Sequence, residues 1–131
     1  MDRNTNHEGH LSIHDESVQA SWHLSSPNPQ PNEDISVTIE IRDTNGKRLE
    51  NFEISHEKQM HLIVVSKDLS FLNHIHPEYK GKGVFQVKTR LPSGGEYKLV
   101  ADSVPEGVGS IAKNTWITVS GEPDRFNQIV L

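Results

Sequence analysis

The fold is decided by the stretch DISVTIEIRDTNGKRL, residues 34–49, in which apolar and polar side chains alternate. Successive side chains of a β-strand point to opposite faces, so this alternation predicts a strand with one face buried and the other in water. The pattern stops at Asn45-Gly46, a dipeptide typical of tight turns between strands. The buried face is predicted to consist of Ile35, Val37, Ile39 and Ile41.

Five further stretches have the composition of strands. Residues 18–24 alternate in the same way, whereas MHLIVVSK, residues 60–67, is apolar on both faces, as expected for a central strand covered on both sides. The other three are GVFQVKTRLP at 83–92, GEYKLVADSV at 95–104 and NTWITVSG at 114–121. No long window keeps a helical apolar period. We therefore predict an immunoglobulin-like antiparallel β-sandwich of about seven strands.

Three local features complete the prediction of the fold. Trp22 and Trp116 lie inside alternating stretches, so both are expected in the core. His23 falls on the polar side of its strand and is expected at the surface. The segment PSGG, residues 92–95, is predicted to be a hairpin turn in which glycine supplies a positive φ.

The chain of 131 residues has the length of one domain. Residues 1–17 are polar and contain His7, His10 and His14, which predicts a flexible histidine-containing arm. The sandwich is expected over residues 18–121, followed by a tail at 122–131. Such a polar start is also typical of an exported protein whose leader has been removed.

Composition excludes several classes of function. The formal net charge of -5 and the absence of a lysine or arginine cluster give no reason to expect nucleic acid as a partner. No apolar stretch approaches the ~20 residues that a transmembrane helix needs. The chain has no cysteine, so thiolate metal sites and disulfides are excluded.

Histidines cluster in HLIVVSKDLSFLNHIHPE, residues 61–78. A chain reversal centred near Asp68 would place residue 61 opposite residue 75, and so bring His61 beside His74 and His76. In an extended backbone the last two side chains point to the same side, and Pro77 favours that conformation at the residue before it. Neutral imidazoles in this arrangement suit zinc or copper. We therefore predict a copper or zinc site built on His61, His74 and His76.

The sequence does not determine which residue would be the fourth metal ligand. Asp102 would favour zinc or Cu(II), whereas Met60 would favour Cu(I), and His56 is a further candidate. Met60 and His61 are adjacent in a strand and should face opposite ways. This geometry favours His61 over Met60.

Other functions compete with the metal site. The histidines could be structural or pH-sensing groups of a protein-interaction or scaffold module. A metal hydrolase would need a water-bearing coordination position and a general base. Common catalytic motifs are absent and the predicted connections are too short to shape a substrate pocket, so we do not expect an enzyme.

The segments MHLIVVSKDLSFLNHIHPEYKGKGVF and LPSGGEYKLVADSVPEG resemble the YtkA-like group of bacterial immunoglobulin-like domains, over about residues 52–120. The resemblance implies a β-sandwich that is exported or anchored at the cell envelope, a role in handling copper or other heavy metals, and an envelope protein as a possible partner. The matching positions are His61, Asp68, His74, His76, Pro77, the Gly94-Gly95-Glu96-Tyr97 turn and Asp102.

Overall fold

Eight β-strands form the fold in the computed structural model, which describes residues 16–123. The predicted arm at 1–17 and tail at 122–131 fall almost entirely outside the described residues. The strands are β1 (Val18–Leu24), β2 (Ile35–Asp43), β3 (Met60–Ser66), β4 (Leu72–Ile75), β5 (Glu78–Gly81), β6 (Val84–Thr89), β7 (Gly95–Ser103) and β8 (Ile111–Val119).

The strands are arranged in two four-stranded antiparallel sheets, in the orders β1-β2-β6-β5 and β4-β3-β7-β8. This is the immunoglobulin arrangement, in which strands A, B, E and D face strands C, F and G, here with an additional strand beside C. The predicted immunoglobulin-like sandwich is therefore confirmed. The structure has eight strands rather than about seven, because residues 72–81 form two short strands, one in each sheet.

The core lies between the two inner faces. The four alternating residues of β2 that the sequence placed inside are at most 2% exposed. The opposite sheet contributes Met60, Leu62 and Val64 from β3, which are fully buried. Alternation thus identified the buried face of β2 correctly, because one face of that strand packs on the other sheet.

A buried tyrosine fixes the connection from β6 to β7. The Tyr97 hydroxyl donates a hydrogen bond to the Ser93 carbonyl oxygen at 2.8 Å, and the ring is 1% exposed. This is the tyrosine corner of immunoglobulin-like domains. A Cβ at Gly94 would lie 2.2 Å from the backbone of Gly121, so the segment needs a glycine there for close approach.

Three local predictions were wrong. The outer face of β3 is not covered, since its residues alternate between buried and half-buried. Trp116 is 51% exposed on β8, whereas Trp22 packs partly buried against the core. Residues 92–95 do not close a hairpin, because β6 and β7 belong to different sheets. The exposed position of His23 agrees with its prediction.

Two loops meet at one end of the sandwich. The segment between β2 and β3 packs on the segment between β7 and β8 through two backbone hydrogen bonds of 2.8 Å, from Glu53 N to the Val104 carbonyl and from Glu106 N to the Asn51 carbonyl. The adjoining strand ends pair as Met60 with Ser103. This end therefore holds the first residues of β3 in place.

Among residues 16–123 no helix has the length and apolar character of a membrane span.

Candidate metal centre

The turn between β3 and β4 sets which side chains share a face. Val65 pairs with Leu72, and Ser66 N donates to the Phe71 carbonyl, so the loop contains the four residues 67–70. Because the loop has an even number of residues, the chain reversal is centred between residues 68 and 69. The predicted pairing of residue 61 with residue 75 was therefore wrong by one position, because Leu62 is the partner of Ile75.

Asp68 organises this turn. Its Oδ1 accepts hydrogen bonds from the hydroxyls of Ser70 and Ser66, at 2.7 Å and 2.8 Å, and from Ser70 N at 3.0 Å. The bonds from Ser70, followed by the bond from Ser66, hold the pKa of the Asp68 carboxyl below its usual value. Asp68 thus has a structural role, and it lies at the opposite end of β3 from His61.

The observed register places the three histidines on the same outer face. His74 pairs with Ile63, and directly paired residues of antiparallel strands share a face. His61 lies two residues before Ile63 and His76 two residues after His74, so their side chains point the same way. The ring centroids are 5.2 Å apart for His61 and His74 and 5.0 Å apart for each of the other two pairs.

The imidazole nitrogens are close enough to share one ion. One nitrogen from each ring can be chosen so that all three lie within 4.8 Å of one another. Nδ1 of His61 is 3.1 Å from Nε2 of His74. Two nitrogens bound ~2.0–2.1 Å from one zinc ion are separated by ~3.3 Å in tetrahedral geometry. The donor set and the spacing therefore fit a zinc or copper ion.

A main-chain oxygen orients His61. Nε2 of His61 lies 2.7 Å from the carbonyl oxygen of Ser55, and that oxygen can only accept a hydrogen bond. The Nε2 atom must therefore carry hydrogen, which leaves the lone pair on Nδ1 for a metal. A metal-binding histidine commonly uses its second nitrogen in this way.

Ser55 is held by a strained turn. Ser55 N donates to the Lys58 carbonyl at 2.9 Å and Lys58 N donates back to the Ser55 carbonyl at 3.2 Å. The two residues between them, His56 and Glu57, have φ values of 50° and 71°. Positive φ at both central residues is typical of a type I′ turn, which favours Asn-Gly and is costly for other side chains. No sequence signal marked Ser55, because a main-chain acceptor is not encoded by residue type.

Asp102 is directly opposite His61, on β7. Asp102 is exposed, and His61 and His74 are close enough to affect the ionisation of its carboxyl. Partial burial raises the pKa of this carboxyl, and the positive charges of His61 and His74 oppose the shift. Asp102 is thus placed on the same face as the histidines, beside the ring of His61.

The other two candidate ligands are less well placed. The ring of His56 is 6.0 Å from that of His61, measured between centroids, at the tip of the strained turn. Met60 is fully buried among the core residues on the opposite face of β3. Met60 is therefore removed from the candidate ligands, for the alternation reason that the sequence had already indicated.

His76 has an altered acid–base equilibrium. Desolvation lowers the pKa of the His76 imidazole, and the positive charges of His61, His74 and Lys58 lower it further. A lowered pKa favours the neutral ring, which is the form that binds a metal.

An open groove of about 610 Å³ runs beside the cluster. His61 and His74 line it on one side, and Ser103, Ile111 and Ala112 line it toward β8. His76 does not line the groove, so the groove approaches the cluster from the side of the other two rings. The sequence alone could not reveal this groove, which depends on the packing of the two loops.

The fold and the site together define an immunoglobulin-like β-sandwich with a cluster of three histidines on the outer face of one sheet. The chain belongs to the family described as "Domain of unknown function (DUF8832)", whose model matches residues 12–121. This match does not confirm the resemblance to the YtkA-like group, which stays a prediction. No curated protein matches the chain in sequence.

Two solved structures illustrate the similarity in fold. A variant of the superoxide reductase (neelaredoxin) from Ignicoccus hospitalis is 13% identical, with a TM-score of 0.52, over 80% of this chain and 82% of that protein. The PmoD soluble domain from Methylocystis sp. ATCC 49242 is 11% identical, with a TM-score of 0.50, over 79% of this chain and 90% of that domain. At such identities the likeness concerns the fold alone.

Proposed function

We propose that the protein is a non-enzymatic domain of the bacterial cell envelope that binds a copper or zinc ion through His61, His74 and His76. One observation carries the proposal: three imidazoles converge on one side of a sheet with their ligand atoms within 4.8 Å of one another. Structural histidines rarely need such mutual proximity, because their charged forms repel one another.

The chemistry of the donors favours copper or zinc. Neutral imidazole is a good ligand for both metals, and the chain has no thiolate to select others. Asp102, on the same face, is available as a further oxygen ligand and would favour zinc or Cu(II). The metal would leave at least one position for another donor, because three imidazoles do not fill a tetrahedral shell.

The location and the non-enzymatic role rest on two other observations. Residues 52–120 resemble the YtkA-like group, and this resemblance implies an envelope location and a role in handling copper or other heavy metals. The groove beside the cluster is open rather than enclosed. An open groove fits delivery or exchange of an ion better than a reaction that must exclude water.

A titration tests the proposal. Cu(II) and Zn(II) are added, in competition with a chelator, to protein purified without a histidine tag and to a His74→Ala/His76→Ala variant. The variant should bind at least ~100-fold more weakly, which exceeds the usual cost of losing a group that only orients a ligand. His23→Ala, on the outer side of the other sheet, is the matched control and should bind as the wild type does. Equal affinities of all three proteins would reject the site.

A protein-interaction module is the second candidate function. Leu72 and Trp116 are 69% and 51% exposed, and both lie on the sheet that carries the histidines. Large exposed apolar side chains are typical of surfaces that contact other proteins. Metal analysis of the tag-free protein separates the candidates, because the interaction module requires no stoichiometric metal.

A further inference from the structure

The outer face of the sheet β4-β3-β7-β8 consists of three rows of side chains that run across the strands. Residues paired directly on neighbouring antiparallel strands share a face, so the register assigns each row. The first row is Leu72, Val65, Lys98 and Trp116, the second is His74, Ile63, Val100 and Asn114, and the third is His76, which follows β4, with His61, Asp102 and Ala112. The histidine cluster therefore occupies one corner of this face.

The rest of the face is apolar for a surface that meets water. Ile63 and Val65 on β3 and Val100 on β7 are half-buried, and Leu72 and Trp116 beside them are exposed. Apolar β-branched residues on both faces of a strand are typical of a strand that is covered on both sides. Since no second layer lies over this side within residues 16–123, the pattern favours a further surface packed against it.

This face is complementary to itself. Lys98 in the first row and Asp102 in the third lie on the same strand, on either side of Val100. Trp116 in the first row and Ala112 in the third are related in the same way on β8. A two-fold axis along the second row would set Lys98 opposite Asp102 of a second copy. The same axis would set the large Trp116 opposite the small Ala112, and each contact would occur twice.

Charge selects this axis over its alternatives. An axis along the first row would bring the two Lys98 side chains together, and an axis along the third row would bring the two Asp102 side chains together. An axis parallel to the strands, through the centre of the face, would do both. Like charges brought together at an interface cost free energy, whereas opposite charges fix its register. Of these four axes, only the one along the second row pairs Lys98 with Asp102.

An open groove is present where the indole ring of a second copy would arrive. The groove of about 610 Å³ is lined by Ala112 and Ile111 on β8, by Asp102 on β7 and by Ile63 on β3. Trp116 lies farther along β8, ~13 Å from Ala112, and does not line the groove of its own chain. Cavities of this size hold drug-sized molecules, so the groove has room for an indole ring. The exposed ring and the groove therefore fit each other between two copies.

The size of the face predicts a weak dimer. Four strands ~4.8 Å apart and three rows ~6.8 Å apart cover ~400 Å² of flat surface on each copy. Stable complexes bury ~800 Å² on each side, and smaller interfaces are typical of transient association. We therefore expect a dissociation constant in the micromolar range, with dimers at high and monomers at low protein concentration.

We propose that the protein forms a symmetric dimer through this face, in which Trp116 of each copy lies in the groove of the other and Lys98 of each copy pairs with Asp102 of the other. The inference goes beyond the proposed function and requires no bound ion. It places the histidine cluster inside the interface. A dimer would therefore cover the candidate metal centre, so that exchange of an ion would require the monomer.

Sedimentation equilibrium of the full tag-free chain, with a chelator present, measures this association without any metal. The wild type should dimerise in the micromolar range, and Trp116→Ser should associate at least ~10-fold more weakly, as expected for loss of a central aromatic contact. Ile54→Ser is the matched control and should associate as the wild type does, because Ile54 is 70% exposed in the loop before β3, outside the three rows.

Two results for the wild type would overturn the inference. A chain that stays monomeric up to ~1 mM, where the micromolar range ends, would leave the face to a different protein. Assemblies larger than the dimer would show a contact of another kind, because a two-fold interface closes on itself.

Charge reversal tests the pairing itself. Lys98→Glu and Asp102→Lys each create two like-charged contacts in the dimer, so each variant alone should be monomeric at concentrations at which the wild type dimerises. An equimolar mixture of the two variants should dimerise again, because the reversed side chains meet at one contact and the original pair is kept at the other. Lys88→Glu, exposed on the other sheet, is the control and should dimerise as the wild type does. A mixture that stays monomeric overturns the inference.

Filling the groove separates a specific fit from apolar attraction alone. Ala112→Trp adds an apolar side chain at an exposed position, so it would strengthen an association that depends only on apolar area. We expect it to weaken the dimer at least ~10-fold instead, because it occupies the space that Trp116 of the second copy needs. Circular dichroism during thermal unfolding checks that the variant is folded. Unchanged or stronger association of the folded variant overturns the inference.

Discussion

The carbonyl oxygen of Ser55 determines which nitrogen of His61 is free. Nε2 of His61 lies 2.7 Å from that oxygen and donates to it, so the lone pair of the ring is on Nδ1. Nδ1 in turn lies 3.1 Å from Nε2 of His74. Without a metal, His74 must donate its Nε2–H across this distance. A metal bound at Nε2 would require the neutral ring of His74 to carry its hydrogen on Nδ1, so metal binding should change the tautomer of His74.

The first prediction concerns this tautomer. In metal-free protein above the histidine pKa range, long-range proton–nitrogen correlation spectra should show His61 protonated at Nε2. His74 should be protonated at Nε2 as well, because it is the donor to Nδ1 of His61. An Nδ1–H pattern for His61 would contradict the orientation by Ser55. Adding Zn(II) should shift Nδ1 of His61 and Nε2 of His74, and leave the Nε2–H of His61 in place.

The second prediction concerns the strained turn that positions Ser55. Glu57 has a φ of 71° and an exposed side chain, so Glu57→Gly removes a left-handed penalty of ~1–2 kcal/mol and adds the entropy cost of glycine, ~0.5–1 kcal/mol. The free energy of unfolding should rise by ~0.5–1 kcal/mol, measured by urea denaturation. The control Glu53→Gly lies in the same loop without a positive φ and should lower it by ~0.4–1 kcal/mol. If Glu57→Gly and Glu53→Gly both lowered the free energy of unfolding, the backbone of Glu57 would not be strained.

The third prediction concerns Asp102. Its pKa is raised in the fold by partial burial, so the ionised form is less favourable in the folded than in the unfolded state. This penalty is fully present above the raised pKa and disappears as pH falls toward the ordinary value of 3.8. Asp102→Asn should therefore increase the stability of metal-free protein at neutral pH and have little effect below about pH 3.8.

The same variant tests the role of Asp102 as a ligand. If its carboxylate binds the metal, Asp102→Asn should weaken Zn(II) binding while it stabilises the metal-free fold. The matched control is Asn114→Asp, an exposed position on β8 that lies outside the groove. Unchanged Zn(II) affinity in Asp102→Asn would show that the carboxylate of Asp102 is not a ligand and that the three histidines bind the metal without it.

Much of the fold could be predicted because it depends on local patterns. Alternation identified the buried face of β2, since each inward residue packs on the opposite sheet. Prediction failed where packing between elements decides the outcome. Trp116 was expected in the core, but the outer face of its sheet has no second layer over it in residues 16–123, and the tryptophan instead lies under the Lys98 ammonium at 5.9 Å.

The candidate site shows how a small error of register matters. The predicted pairing of residues 61 and 75 would put His61 on the face of Ile75, away from His74 and His76, because a shift of one residue reverses every side chain. The observed pairing of Leu62 with Ile75 brings the three rings to one face. The types of ligand could be read from the sequence, whereas the register depended on four loop residues held by the carboxylate of Asp68.

The last prediction concerns pH and His76. Desolvation, together with the charges of His61, His74 and Lys58, lowers the pKa of His76 from its ordinary value of 6.5. Below pH 6.5 the unfolded chain therefore binds a proton at this position that the folded chain resists, and stability must fall as the pH decreases toward the lowered pKa. Above 6.5 the ring is neutral in both states and has no such effect.

Replacing the ring isolates this contribution. In urea denaturation with a chelator present, the wild type should lose stability as the pH falls below 6.5, and His76→Gln should lose less over the same interval. His23→Gln, on β1 of the other sheet, is the control and should follow the wild type. Parallel curves for wild type and His76→Gln would show that the proximity of the three rings has no energetic consequence in the metal-free protein, because repulsion between neighbouring imidazolium charges must appear as lost stability on acidification.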